Sequence, residues 1–142
     1  MKKNKILFVC VGNSVRSQIA ESILRNKEIE NIEVFSAGAF PAQYVDELTK
    51  EVLDENNIYF SELNPEDVMK YKEKEFDYVI LLDETISRSL PTFPGDPEVL
   101  NWYMDDPIRV LGSRERKKEA FQSIFNKIDN KISEFLDNKY EE

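Results

Sequence analysis

The sequence predicts an α/β fold built on a parallel sheet, and three features carry that prediction. Lys5 to Cys10 is an unbroken apolar run (Ile6, Leu7, Phe8, Val9) bounded by Gly12, which by length and β-branching suits a strand buried on both faces. From Ser17 the apolar positions change to helical spacing, with Ile19, Ala20, Ile23 and Leu24 on one stripe and Glu21 and Arg25 as an i,i+4 pair. Strand-like and helix-like segments then alternate along the chain, a pattern that places the active edge of the sheet at the carboxyl ends of its strands.

The remaining elements follow in order. Ile32 to Ser36 reads as a second strand ended by Gly38, and Val45, Leu48, Val52 and Leu53 as a second helix. Asn64-Pro65-Glu66-Asp67 reads as the start of a short helix, with Asn64 as N-cap and Pro65 in its first turn. Asp77 to Leu82 is a third buried strand, and after Asp83 the register turns helical to about Leu90. Pro91, Pro94, Gly95 and Pro97 mark an irregular loop, and Val99 to Tyr103 a fourth strand. Phe121, Ile124, Phe125, Ile128, Ile132, Phe135 and Leu136 form the stripe of a long amphipathic helix that covers the sheet. A basic cluster at Arg114 to Lys118 opens it, and residues 138–142 read as a frayed tail. No repeat, linker or low-complexity stretch appears, so residues 1–142 read as a single domain.

Composition narrows the chemistry. The 142 residues hold 19 Lys+Arg against 28 Asp+Glu, a formal charge of −9, with one cysteine and no histidine. One cysteine excludes an internal disulfide framework, and the lack of histidine excludes Ser-His-Asp triads and His metal ligation. Acid/base work falls to Asp, Glu, Lys, Tyr or Cys. The acidic balance argues against nucleic-acid partners. The apolar run after the basic start is too short for a signal peptide or a membrane span, so a cytoplasmic location is expected, with no membrane association.

The informative segment is Val9-Cys10-Val11-Gly12-Asn13-Ser14-Val15-Arg16-Ser17, between the first strand and the first helix. Gly12 and Asn13 are residue types that reach positive φ, and such a loop turns successive N–H groups inward as an anion nest at a helix N-terminus. A tetrahedral oxyanion such as phosphate fits there, with the N–H groups of Val11, Gly12, Asn13, Ser14, Val15 and Arg16 around it. Arg16 adds a bidentate clamp. The same positive field favours the thiolate of Cys10, the candidate nucleophile. Ser17 is placed to donate to that sulfur and Asn13 to hold the turn. The competing reading is a generic strand-to-helix turn with a buried thiol.

VCVGNSVRSQIAE resembles the phosphate-binding signature of the low-molecular-weight protein tyrosine phosphatases and of the arsenate reductases that share their fold. Ser36-Ala37-Gly38, Asp83-Glu84-Thr85 and Asp105-Asp106-Pro107 extend the resemblance over nearly the whole chain. It implies a flavodoxin-like, four-stranded parallel sheet with helices on both faces. It also makes the aspartate before proline, Asp106, the general acid, with Ser36 supporting the loop. Asp106 suits the chemistry independently, since expulsion of a phenolate needs a proton donor and no histidine is present. Asp105 is the competing choice, and a solvated loop or cap the other alternative. Phe40 and Tyr44 are candidates for an apolar wall gripping a phenyl ring, or else packing residues. Glu21 reads as a surface or loop-bracing carboxylate.

The two branches of the resemblance differ in how the thiol adduct is resolved. Thioredoxin-coupled reductases use two further cysteines, and the corresponding positions hold Asp83 and Leu90; a frequent second loop cysteine is replaced by Val15. Leu82-Asp83-Glu84-Thr85 is the more phosphatase-like, whereas Arg16-Ser17-Gln18 and the doubled aspartate before Pro107 are the more reductase-like. Ile108 and Arg109 stand where typical eukaryotic phosphatases carry two tyrosines. The expected activity is hydrolysis of phosphotyrosine or another aryl phosphate through a phosphocysteine, by a monomer. Phosphorylated proteins or small aryl phosphates would be the substrates and inorganic phosphate or arsenate the ligands; no cofactor or metal is implied. The alternatives are an arsenate reductase that borrows an external thiol, and a non-catalytic oxyanion-binding module.

Overall fold

The computed structural model describes residues 3–140. Four parallel strands form one sheet in the order β2-β1-β3-β4, with β1 at Asn4–Cys10, β2 at Ile32–Gly38, β3 at Tyr78–Leu81 and β4 at Glu98–Asn101. The chain leaves β1 toward β2 on one side and returns to β3 on the other, so the topological switch point lies at the carboxyl end of β1. Cys10 is the last residue of that strand.

Three helices, α1 at Arg16–Asn26, α2 at Glu47–Glu55 and α3 at Arg114–Tyr140, pack on one face. The pleat alternates side chains between faces, so Ile6, Phe8 and Cys10 of β1 turn toward these helices. They meet Ile19, Ile23 and Leu24 of α1, Val52 and Leu53 of α2, and Phe121, Ile128 and Ile132 of α3. Each such fully buried side chain stabilises the fold by roughly 1.5–3 kcal/mol relative to exposure. Phe135 closes the far end, its ring 5.0 Å from Tyr78 and 6.0 Å from Trp102.

The second face is covered by short 3-10 turns, at Val68–Tyr71 and Ser87–Ser89, and by the loops around them. Leu7, Val9, Val79 and Leu81 are sealed there by Val68, Ile86 and an aromatic series. In that series Phe35, Phe76 and Phe93 stack edge to face at 5.5 and 5.7 Å.

Two local expectations are corrected. No helix starts at Asn64-Pro65; the turn begins at Val68, capped by Asp67, whose carboxylate accepts from Met69 N at 2.9 Å. The stretch from Asp83 to Leu90 holds only the 3-10 turn, because Asp83 Oδ1 accepts from both N and Oγ1 of Thr85 and bends the chain before a helix can form. At the carboxyl end the helix continues through Tyr140, and Glu141 and Glu142 of the expected tail lie outside the described residues. No helix among the described residues is long and apolar enough to cross a membrane.

Candidate active site

The phosphate loop is shaped by what happens to its carbonyl groups. Ala39 N donates to Cys10 O at 3.0 Å, Phe40 N to Val11 O at 2.8 Å and Ala42 N to Gly12 O at 2.8 Å. Gln18 Nε2 takes Asn13 O at 3.0 Å, Thr49 Oγ1 takes Ser14 O at 2.8 Å, and Ile19 N takes Val15 O at 2.9 Å. Six successive carbonyls are thus drawn outward by the scaffold. Among the described residues no N–H from Gly12 to Arg16 has a protein acceptor, so these donors are free for an anion at the start of α1.

Asn13 sits at φ 52° and is fully buried. Its side chain compensates for that conformation by donating to Ser17 Oγ at 2.7 Å and Ser36 Oγ at 3.0 Å and accepting from Glu66 N at 2.7 Å. Ser17 Oγ in turn lies 2.8 Å from Cys10 Sγ. With Asn13 donating to it, the Ser17 hydroxyl is left to donate to the sulfur, which stabilises a thiolate. The Ser36 hydroxyl donates a hydrogen bond to Glu21 Oε1, and burial raises the Glu21 carboxyl pKa despite the opposing effects of Ser36 and Arg25. Of the two readings of Glu21, the structure has the loop-bracing one.

Arg16 is 2% exposed and its guanidinium is divided in two. Nη1 is committed to Asp83 Oδ2 and Met104 O, both at 2.8 Å, and to Leu82 O at 3.3 Å. Nη2 reaches Asp106 Oδ2 at a long 3.4 Å, and Nε has no partner although buried. Nε–H and Nη2–H point the same way, so the edge left over is a two-donor fork suited to an oxyanion. Asp83 is held low: burial alone would raise its pKa, but the hydrogen bonds from Thr85 and Arg16 outweigh burial. Asp106 caps the 3-10 turn Pro107–Arg109 through Ile108 N at 3.1 Å, with its side chain 23% exposed. Asp105 is exposed and forms no part of this cluster.

Phe40 and Tyr44 are 64% and 73% exposed, so neither is a core packing residue. Both are tied to the loop by backbone contacts: Phe40 N to Val11 O, and Ser14 Oγ to Tyr44 O at 2.9 Å. Ser14 therefore serves the site through its backbone while its hydroxyl anchors the rim. The sequence reading missed three contributors. Asp83 orients Arg16, Gln18 pulls Asn13 O outward, and Gly38 gives the loop room, because a Cβ there would lie 2.8 Å from Val11 O and 2.9 Å from Asn13 N. The Ser36-Ala37-Gly38 pattern was the available signal for Gly38. No group of three or more His, Cys, Asp or Glu side chains able to hold a metal occurs among the described residues.

These features define a class of α/β protein in which a cysteine faces an oxyanion cradle at the switch point of the sheet. The chain belongs to the low molecular weight phosphotyrosine protein phosphatase family, whose model matches residues 5–142. It is 29% identical over 137 residues to an arsenate reductase of Halalkalibacterium halodurans, covering 96% of this chain and 98% of that protein. Among solved structures it is similar to a thioredoxin-dependent arsenate reductase of Corynebacterium glutamicum, with TM-score 0.71 and 27% identity. That match covers 97% of this chain and spans 62% of the other. A low molecular weight phosphotyrosine phosphatase of Vibrio cholerae O395 shares the fold, with TM-score 0.77, 24% identity and 95% of each chain covered.

Proposed function

We propose that the protein is a cysteine-dependent phosphatase acting on phosphotyrosine or other aryl phosphates. The observation that carries this reading is the capture of every carbonyl from Cys10 to Val15 by scaffold donors, which among the described residues leaves the N–H groups from Gly12 to Arg16 without a protein acceptor in the loop that follows Cys10. In the first step the Cys10 thiolate attacks phosphorus in line with the departing aryl oxygen. The free N–H groups and the Nε/Nη2 edge of Arg16 hold the equatorial oxygens, and preorganised donors of this kind contribute about 10²–10³ each to turnover. Asp106 protonates the phenolate as it leaves. In the second step the same carboxylate takes a proton from water, which attacks the phosphocysteine and releases inorganic phosphate. Phe40 and Tyr44 suit an apolar leaving group at the rim.

A second reading is favoured by the full-length similarity to arsenate reductases. Here Cys10 attacks arsenate with loss of water. An external thiol then attacks the Cys10 sulfur of the adduct, leaving a mixed disulfide and arsenite, and a second thiol restores Cys10. With one cysteine in the chain, both thiols come from outside. Steady-state hydrolysis of an aryl phosphate and of a phosphotyrosine peptide at mildly acidic pH, beside arsenate turnover with a small-molecule thiol, separates the two. Rapid hydrolysis abolished by Cys10→Ser, with phosphate binding retained, is the expected result. Arsenite production without appreciable hydrolysis would establish the second reading instead.

A further inference from the structure

A second concavity lies away from the phosphate loop. A cavity of about 890 Å³ opens between the outer edge of β2, helix α1 and segment 59–66. Among the described strands β2 has β1 as its one neighbour, and its even-numbered residues turn their backbone groups outward: Val34 O accepts from Arg25 Nη2 at 2.9 Å and Gly38 N donates to Glu66 O at 2.8 Å. Between those contacts the strand edge faces the cavity. The opposite wall is pinned at its ends and once between. Asn26 exchanges two hydrogen bonds with the Tyr59 backbone at 2.7 and 2.8 Å, Gln18 Nε2 holds Asn64 O at 3.0 Å, and Glu66 O takes Gly38 N. The segment bridges β2 at Gly38–Asp67 and stands off from the rest of it.

The lining is acidic. Glu21 and Glu66 are matched by Arg25 and Lys70, whereas Glu28, Glu33 and Glu62 form no ion pair among the described residues. An edge strand offers a row of backbone donors and acceptors that an extended chain can use and a simple amine cannot. We propose that this slot docks an extended, lysine- or arginine-bearing segment of a partner protein, which adds its backbone to β2 and sets its basic side chains against Glu28, Glu33 and Glu62. The net charge of −9 assists its approach. This site does not depend on which reaction Cys10 performs.

The test is titration of the isotope-labelled full chain, followed by NMR, with a capped octapeptide that carries lysine on both faces of its extended form (Lys-Lys-Val-Lys-Lys-Val-Lys-Lys). Amide shifts in Ile32 to Ser36 and Tyr59 to Asn64 are the expected result. Binding should fall about tenfold or more in the Glu33→Lys/Glu62→Lys double variant while aryl phosphate hydrolysis, or arsenate turnover, is unchanged. A peptide N-methylated at alternate residues should lose binding, which tests strand addition without altering the protein. The proposal is overturned if the octapeptide leaves the β2 amides unmoved at millimolar concentration. It is equally overturned if the double variant or the N-methylated peptide binds undiminished, or if spermidine binds as tightly as the octapeptide.

Discussion

From Cys10 to Val15 every carbonyl of the phosphate loop is held by a scaffold donor, whereas the rim residues Phe40, Tyr44 and Ile108 stand 64%, 73% and 52% exposed with only their backbones tied down. The loop is buried at Cys10 and from Asn13 to Val15, and Asn13, at positive φ, is fixed by three side-chain hydrogen bonds. The rim is fixed in position but not in side-chain contacts. On the proposed function this is a division of labour: the loop would set what is attacked, a tetrahedral oxyanion, and the rim what is attached to it. Asp106 stands between, capping a rim turn with one oxygen and meeting Arg16 with the other.

That division can be broken by substitution. Asp106→Ala is expected to lower kcat on an aryl phosphate by about 10²–10⁴ with little change in phosphate affinity. The loss should shrink for a substrate whose leaving group needs no proton, and an unchanged rate would remove Asp106 from the reaction. Gly38→Ala forces a Cβ against the loop backbone, so about a 10²-fold loss is expected, equal for every substrate because the cradle itself shifts. A loss confined to bulky substrates would show that Gly38 belongs to the rim instead. Phe40→Ala should raise KM for aryl substrates by roughly two- to tenfold and leave the inhibition constant for inorganic phosphate alone.

The charges beneath the loop give a prediction on stability. The folded-state pKa of Asp83 is lowered, so its contribution is present above the unfolded value and is lost as pH falls through the folded one. Glu21 acts oppositely: its folded pKa is raised, so ionising it as pH climbs from 4.5 through the folded value removes stability. Asp83→Asn should therefore cost about 1–3 kcal/mol at neutral pH and progressively less in acid, measured by denaturant unfolding across pH. A pH-independent cost would mean that shape rather than charge fixes Arg16.

How much of this was legible in the sequence varied with the range of the interaction. Strands and long helices were legible because burial marks consecutive residues, as an unbroken apolar run in β1, buried on both faces, and as a helical period in the Phe121 to Leu136 stripe. The two short helical readings failed where a single carboxylate, of Asp67 or of Asp83, closed a local turn and cut the pattern short. Phe40 and Tyr44 were undecidable by residue type, since an aromatic ring suits a core and a binding wall equally.

The sequence by itself determined where the cradle lies, because a strand, a turn able to reach positive φ and a helix N-terminus are consecutive along the chain, and Cys10 and Arg16 come with them. Only the tertiary structure decided how Arg16 is aimed. Its partners Asp83 and Asp106 lie 67 and 90 residues further on, and no local pattern specifies which of its five N–H donors they occupy and which they leave for the anion. Residue types along a short segment place a loop between strand and helix, but the anchoring of its carbonyls and the direction of a buried charge follow from everything packed around them.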